Sequence, residues 1–282
     1  MVNHAPKTNR RGLTLIEVLI STLCLATLFT LIACVKKDRQ GVPIRDESQL
    51  MQIHKAMIAF SNDNRGMYPR PGLIDRLPVP DLGKIPGVGE EDLSKNHTAN
   101  LYSCLIAMAY TSPGLVVSPV EVNPFVEVKD DYDVDMYSPS NGIYWDPTFT
   151  ARIDDAQIGS NTSYAHLDLV GPFAEANWRN NMNALAPVLS NRGPRDGATV
   201  GDEFARSPTL RFYRSFTAWT GNVAFGDHSV QFLNSILIGE GEPKDNLFRF
   251  DTDDHNDARL GIFKSSDGKT SEAVWDPLID AE

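Results

Sequence analysis

Arg10-Arg11-Gly12-Leu13-Thr14-Leu15-Ile16-Glu17-Val18-Leu19-Ile20 is the stretch from which the rest of this chain is read. A short basic leader ends at Gly12, an apolar run begins at once, and a single carboxylate, Glu17, stands at its fifth position. Residues 18–35 carry no charge. At about 1.5 Å of rise per residue, a helix over 13–35 is long enough to cross a hydrocarbon core of about 30 Å. The expectation is a membrane-spanning helix there. A carboxylate inside such a segment is costly unless paired, which makes Glu17 a candidate functional residue.

Gly12, Leu13 and Glu17, with Thr14-Leu15-Ile16 between them, resemble the class III signal of type IV pilins and type II secretion pseudopilins. The resemblance implies cleavage by prepilin peptidase after Gly12 and N-methylation of Leu13. It also implies a role for Glu17 in assembly, paired with the terminal amine of a neighbouring subunit. Leu13 stands where the family usually has phenylalanine, but an apolar side chain is retained. The implied partners are prepilin peptidase, other pseudopilin subunits and the bacterial inner membrane, with the globular domain in the periplasm or on the fibre.

The 282 residues suffice for one sizeable domain behind such an N-terminus. Formal net charge is −11, and removing residues 1–12 with Lys7, Arg10 and Arg11 takes it to −14. That acidity argues against nucleic acid as a partner, because phosphate binding needs a basic face. Of three cysteines, Cys24 and Cys34 lie in the apolar run, leaving only Cys104 beyond it. No disulfide framework can form in the globular part. The basic residues Lys36, Lys37 and Arg39 after the run nearly cancel those before it, so charge alone does not orient the segment.

Along the chain the reading is a leader (1–12), a transmembrane helix (13–35), a kinked amphipathic helix (36–68) and a globular α+β domain (69–282). Gly41-Val42-Pro43 is expected to interrupt the helix, since proline lacks a donor and disfavours helix before it. From 48 to 60, Leu50, Ile53, Met57, Ile58 and Phe60 recur at roughly helical spacing and predict one buried stripe. Asn62-Asp63-Asn64-Arg65-Gly66 supplies the stop. Proline and glycine mark 69–92 as a loop, 100–109 reads as a short helix, and 115–117, 126–128, 161–165 and 209–216 read as strands. The fold class expected is α+β, pilin-like, with an interrupted N-terminal transmembrane helix packing onto a domain with an antiparallel sheet.

Gly221-Asn222-Val223-Ala224-Phe225-Gly226-Asp227-His228-Ser229-Val230-Gln231-Phe232-Leu233 reads as a hairpin about a Gly-Asp-His-Ser turn. With Pro187-Val188-Leu189-Ser190-Asn191-Arg192-Gly193-Pro194, it resembles the C-terminal part of a pseudopilin-like family that carries a late His-x9-Asp-Gly element. The element is degenerate here: Asp227-His228 replaces Asp-Gly, and Thr217 stands where the histidine would be.

Asp251-Thr252-Asp253-Asp254-His255-Asn256-Asp257 alternates carboxylates as oxygen-ligand loops do, making Asp251, Asp253 and Asp257 candidate ligands for Ca2+. It lacks the glycine and glutamate of an EF-hand, no cofactor is required by the reading, and a solvated acidic turn is the reading preferred over a metal site. Leu31-Ile32-Ala33-Cys34 also fits a lipobox; cleavage before Cys34 gives a periplasmic lipoprotein acting as a binding module. No nucleophile, acid–base or phosphate-loop motif accompanies Asp227-His228 or the other histidines, so an enzyme is not expected. The function expected is that of a structural fibre subunit.

Overall fold

The computed structural model describes residues 15–74, 78–79, 83–84, 91–138, 141–239, 243–251 and 257–280, with only the backbone at 15, 17, 18, 21, 25–41, 78–79 and 83–84. Two compact units result, Met1–Val42 and Pro43–Glu282. The helices are α1 (Leu15–Asp63), α2 (Thr98–Ala107), α3 (Gly171–Asn177) and α4 (Asp202–Ala205). In chain order the strands are β1 (Pro78–Val79), β2 (Gly83–Lys84), β3 (Ala151–Arg152), β4 (Gly159–Ser160), β5 (Tyr164–Leu167) and β6 (Pro187–Asn191). They continue with β7 (Gly221–Phe225), β8 (Val230–Leu233), β9 (Leu237–Ile238), β10 (Asp245–Asn246), β11 (Leu260–Ser266) and β12 (Ser271–Val274).

The expected architecture is corrected at its N-terminal helix. Among the described residues, no helix is long and apolar enough to cross a membrane, against the expectation over 13–35. From Val42 onward α1 is amphipathic, with Arg45, Asp46, Glu47 and Lys55 among its apolar positions, so this part of the helix is no lipid span. Nor does Gly41-Val42-Pro43 interrupt the helix, which continues through Pro43. A proline removes one helical hydrogen bond, and a helix that runs on for more than five turns on either side absorbs that as a local defect.

Within the second unit, α1 buries the stripe Leu50, Ile53, Met57 and Phe60. Each such side chain is worth roughly 1.5–3 kcal/mol of burial. The helix ends where Asn64 and Gly66 donate their N–H groups to the Ser61 carbonyl at 3.1 and 2.8 Å. Gly66 has φ +78°, a left-handed turn for which glycine is suited. The chain then drops Tyr68 into the core edge-on to Trp178.

Six strands form an antiparallel sheet in the order β12-β11-β5-β6-β7-β8. Strands β5, β6 and β7 are buried at every position, so both faces of the sheet centre are covered. Strand β8 is half-buried or exposed throughout. The other pairs, β1–β2, β3–β4 and β9–β10, are two-stranded ribbons.

Local propensity is overridden in three places. Leu115 ends a 3-10 turn over Pro113–Leu115, Val116 caps it, and Val126 makes only an isolated bridge with Ser160. Thr209 and Leu210 lie in a 3-10 helix over Pro208–Arg211, which the proline at its first position favours over a strand.

Candidate functional site

Gly12 and Leu13 lie outside the described residues. Glu17 and Cys34 fall within the helical backbone of α1, with their side chains outside the description. Asp253 also lies outside the described residues. The structure brings Asp251 and Asp257 together with Asp245 of β10, each offering one carboxylate oxygen, all within 4.8 Å of one another. Asp245 has its carboxyl pushed up to about 6, first by burial and then by the charges of Asp257 and Asp251. Its Oδ1 is buried without a hydrogen-bond partner.

The same cluster holds itself partly closed. Asp251 accepts from the Asn246 N–H at 2.7 Å and from Arg249 Nε and Nη2 at 3.1 and 3.0 Å. Asp257 accepts the N–H of Asp251. Three carboxylate oxygens at this spacing suit a hard divalent cation, but Ca2+ takes about six to eight oxygens, so backbone carbonyls or water would complete its shell. The sequence pattern within 251–257 could not reveal Asp245, because a two-residue strand six positions upstream delivers it.

A second polar centre was not legible in the sequence. Asp46, on the part of α1 within the second unit, is fully buried. Its Oδ1 accepts from Ser118 Oγ, from Tyr164 OH at 2.8 Å and from Asn191 Nδ2 at 3.3 Å. Its Oδ2 accepts from Tyr213 OH and from Asn222 Nδ2 at 2.7 Å. All five donors are neutral groups. Burial first, and then the Asp46 charge, raise the phenols of Tyr164 and Tyr213 above their ordinary value, which keeps both as O–H donors.

Next to Asn191, Arg192 is 3% exposed in its side chain, and all five of its N–H groups are used. Nε and Nη2 reach Asp276, Nη1 and Nη2 reach Glu121, and Nη1 also donates to the Ser163 carbonyl at 2.9 Å. Burial opposes the charge, but Asp276 and then Glu121 overcome it and raise the guanidinium above its usual value. Nothing local in the sequence marks this centre, because Asp276 and Glu121 lie 84 and 71 residues from Arg192.

Histidines separated in the chain also meet. His54 Nε2 lies 3.0 Å from Tyr68 OH, and its ring is 5.6 Å from that of His228, edge to face. Burial, then the neighbouring His228, push His54 down to about 4. His228 turns to Asn180 Oδ1 at 2.9 Å, while Asp227 accepts from Ser229 N and Oγ at 3.0 and 2.7 Å. Asp227 thus closes the turn and makes no dyad with His228. His166 is wholly buried between Thr98 Oγ1 and the Leu167 carbonyl, and burial lowers it to about 4. Thr217 is exposed, bonded within its own loop to the Ser215 carbonyl. Compared with known proteins, the chain matches no family model, no curated protein and no solved structure.

Proposed function

We propose that the chain is a structural subunit of a type II secretion pseudopilus or type IV pilus-like fibre, cut after Gly12 by prepilin peptidase and methylated at Leu13. The observation that carries this reading is Arg11-Gly12-Leu13-Thr14-Leu15-Ile16-Glu17, a basic-to-apolar junction with glycine at the cut and glutamate at the fifth position after it. Support comes from the helix described over Leu15–Asp63 and from the docking of its later residues, Leu50 to Phe60, in the core of an α+β domain. The partners are prepilin peptidase and other pseudopilin subunits at the bacterial inner membrane. The size of the domain suits a minor subunit. Mass spectrometry of the mature N-terminus tests the proposal: a methylated Leu13 supports it, whereas a chain beginning at Met1 or at a lipidated Cys34 removes it. Gly12→Val is expected to abolish the mobility shift of processing, and Glu17→Ala to leave cleavage intact while lowering incorporation into fibres.

A further inference from the structure

The two edges of the six-stranded sheet are built differently. At one edge, β12 carries Glu272, ion-paired to Lys264 of β11 at 2.6 Å, and the β11–β12 register shifts between Phe263 and Ser265. Charges and bulges of this kind keep edge strands from pairing with other chains. At the other edge, β8 reads Val230-Gln231-Phe232-Leu233, with no charge, no proline and no bulge in its pairing with β7. Among the described residues nothing pairs with its outer side.

The direction of its free backbone groups follows from the register. Asn222 of β7 sits opposite Phe232, yet its N–H goes to Asn191 Oδ1 at 2.7 Å, on the β6 side. The Asn222–Phe232 pair is therefore of the non-hydrogen-bonded kind, and so is Ala224–Val230 two residues along. In such pairs the N–H and C=O of the edge residue point outward, so Phe232 and Val230 each present a donor and an acceptor to a further strand. Phe232 is 54% exposed beside them.

On the face of the sheet that carries Gln231 and Leu233 of β8 lies a groove of about 830 Å3, lined also by Phe225 of β7, Leu185, Ile238 and Asp245. Leu185, in that lining, is 82% exposed. Most of the lining is apolar or amide, and Asp245 is its charged member, with the buried and unpartnered Oδ1 described above. The charge that complements such a lining is a cation.

We propose that β8 is a strand-addition site for an extended, mostly apolar peptide segment carrying one lysine or arginine. The segment's backbone pairs with Val230 and Phe232, and its cationic side chain reaches Asp245. Main-chain pairing supplies affinity in such complexes, and the pocket for the alternate side chain supplies selectivity. Four residues of β8 span about 13 Å, so the segment is short. The assignment is independent of the fibre reading, and either can fail without the other.

The test uses the full-length chain in EDTA and a fluorescein-labelled peptide alternating valine and threonine around a central lysine, read by fluorescence anisotropy. Saturable binding is expected, weakened about tenfold or more when the lysine is replaced by glutamate or when the peptide backbone is N-methylated at alternate residues. Phe232→Pro should weaken it similarly, since proline removes an outward N–H that an edge strand can lose without unfolding. Phe232→Ala should retain most of the binding. Equal binding of the glutamate or N-methylated peptide overturns the proposal, as does no binding at millimolar peptide or an equal loss in Phe232→Ala. A dimer of the chain that Phe232→Pro dissociates, without peptide binding, also overturns it by making a second copy the occupant. Should Phe232→Pro fail to fold, the N-methylated peptide decides alone.

Discussion

Arg192 and Asp276 form a two-pronged pair across 84 residues of chain, Nε to Oδ2 at 3.0 Å and Nη2 to Oδ1 at 2.8 Å. Both side chains are 3% exposed. This contact fastens the C-terminal segment to the end of β6, and Asn123 adds a third bond to Asp276 Oδ1 at 2.7 Å. Removing one member of a buried pair leaves the other uncompensated, which typically costs about 3–5 kcal/mol. Asp276→Ala is expected to lower the urea midpoint accordingly. The double variant Arg192→Met with Asp276→Leu should recover part of the loss, leaving Glu121 as the remaining unpaired charge.

Asp46→Ala should be among the most damaging substitutions on α1. It strands donors from Ser118, Tyr164, Asn191, Tyr213 and Asn222 in a dry interior. A loss of about 3 kcal/mol or more is expected in chemical denaturation, because each stranded group forfeits its desolvation compensation. Asp46→Asn should also destabilise, since an amide nitrogen would face donors where an oxygen now accepts.

Acid should weaken the fold well above the ordinary carboxylate range. His54 and His166 are held neutral with values near 4, so below 6.5 the unfolded chain takes up protons that the folded chain refuses. Each contributes a fall of about 1.4 kcal/mol per pH unit between 6.5 and 4, and none below that window. Asp245, raised to about 6, acts in the opposite sense: the folded state binds its proton more readily, so it adds stability as pH falls from 6 toward 4. Its effect is smaller because it is only part-buried. Denaturation midpoints measured from pH 7 to 4 should therefore decline, and His166→Gln should flatten the slope.

Calcium titration followed by thermal melting tests the carboxylate trio. An ion shared by Asp245, Asp251 and Asp257 stabilises by about 2.7 kcal/mol at a hundred times its Kd, and Asp245→Asn should erase the shift. A melting temperature unmoved by millimolar calcium removes the ion from the account.

Gly193→Ala should destabilise through a clash, since an added Cβ would lie 2.2 Å from two ring carbons of Phe248. Overpacking of this kind costs about 1–3 kcal/mol, and Phe248→Leu in the same chain should return part of it.

How far the sequence reveals this molecule depends on how locally each feature is encoded. The stripe Leu50, Ile53, Met57 and Phe60 follows a helical period, and the hairpin about Gly226-Asp227-His228-Ser229 follows an alternating one, so both were readable. The break expected at Pro43 was not found, because one missing donor does not outweigh the helix on either side. The strand expected over 209–216 gave way to the turn that Ser207-Pro208 begins. Asp46 and Arg192 left no local mark, since their partners lie up to 176 and 84 residues away. Asp245 escaped for the same reason: the loop pattern pointed at Asp251 and Asp257, and the third carboxylate arrives from another strand.

The five-donor setting of Asp46 has a mechanical corollary. Sliding the helix by one turn moves a side chain about 5.4 Å along the axis, beyond hydrogen-bond reach of every one of those groups at once. Apolar stripes tolerate such sliding, because one leucine can replace another in the same hollow. A lone carboxylate cannot be replaced in this way: Arg45 and Glu47 flank it on other sides of the helix, and Leu50 follows one turn later. Asp46 therefore works as a detent, fixing the axial position and rotation of the helix from Pro43 to Asp63 to a single setting. Any pull transmitted along α1 would meet all-or-none resistance at that residue.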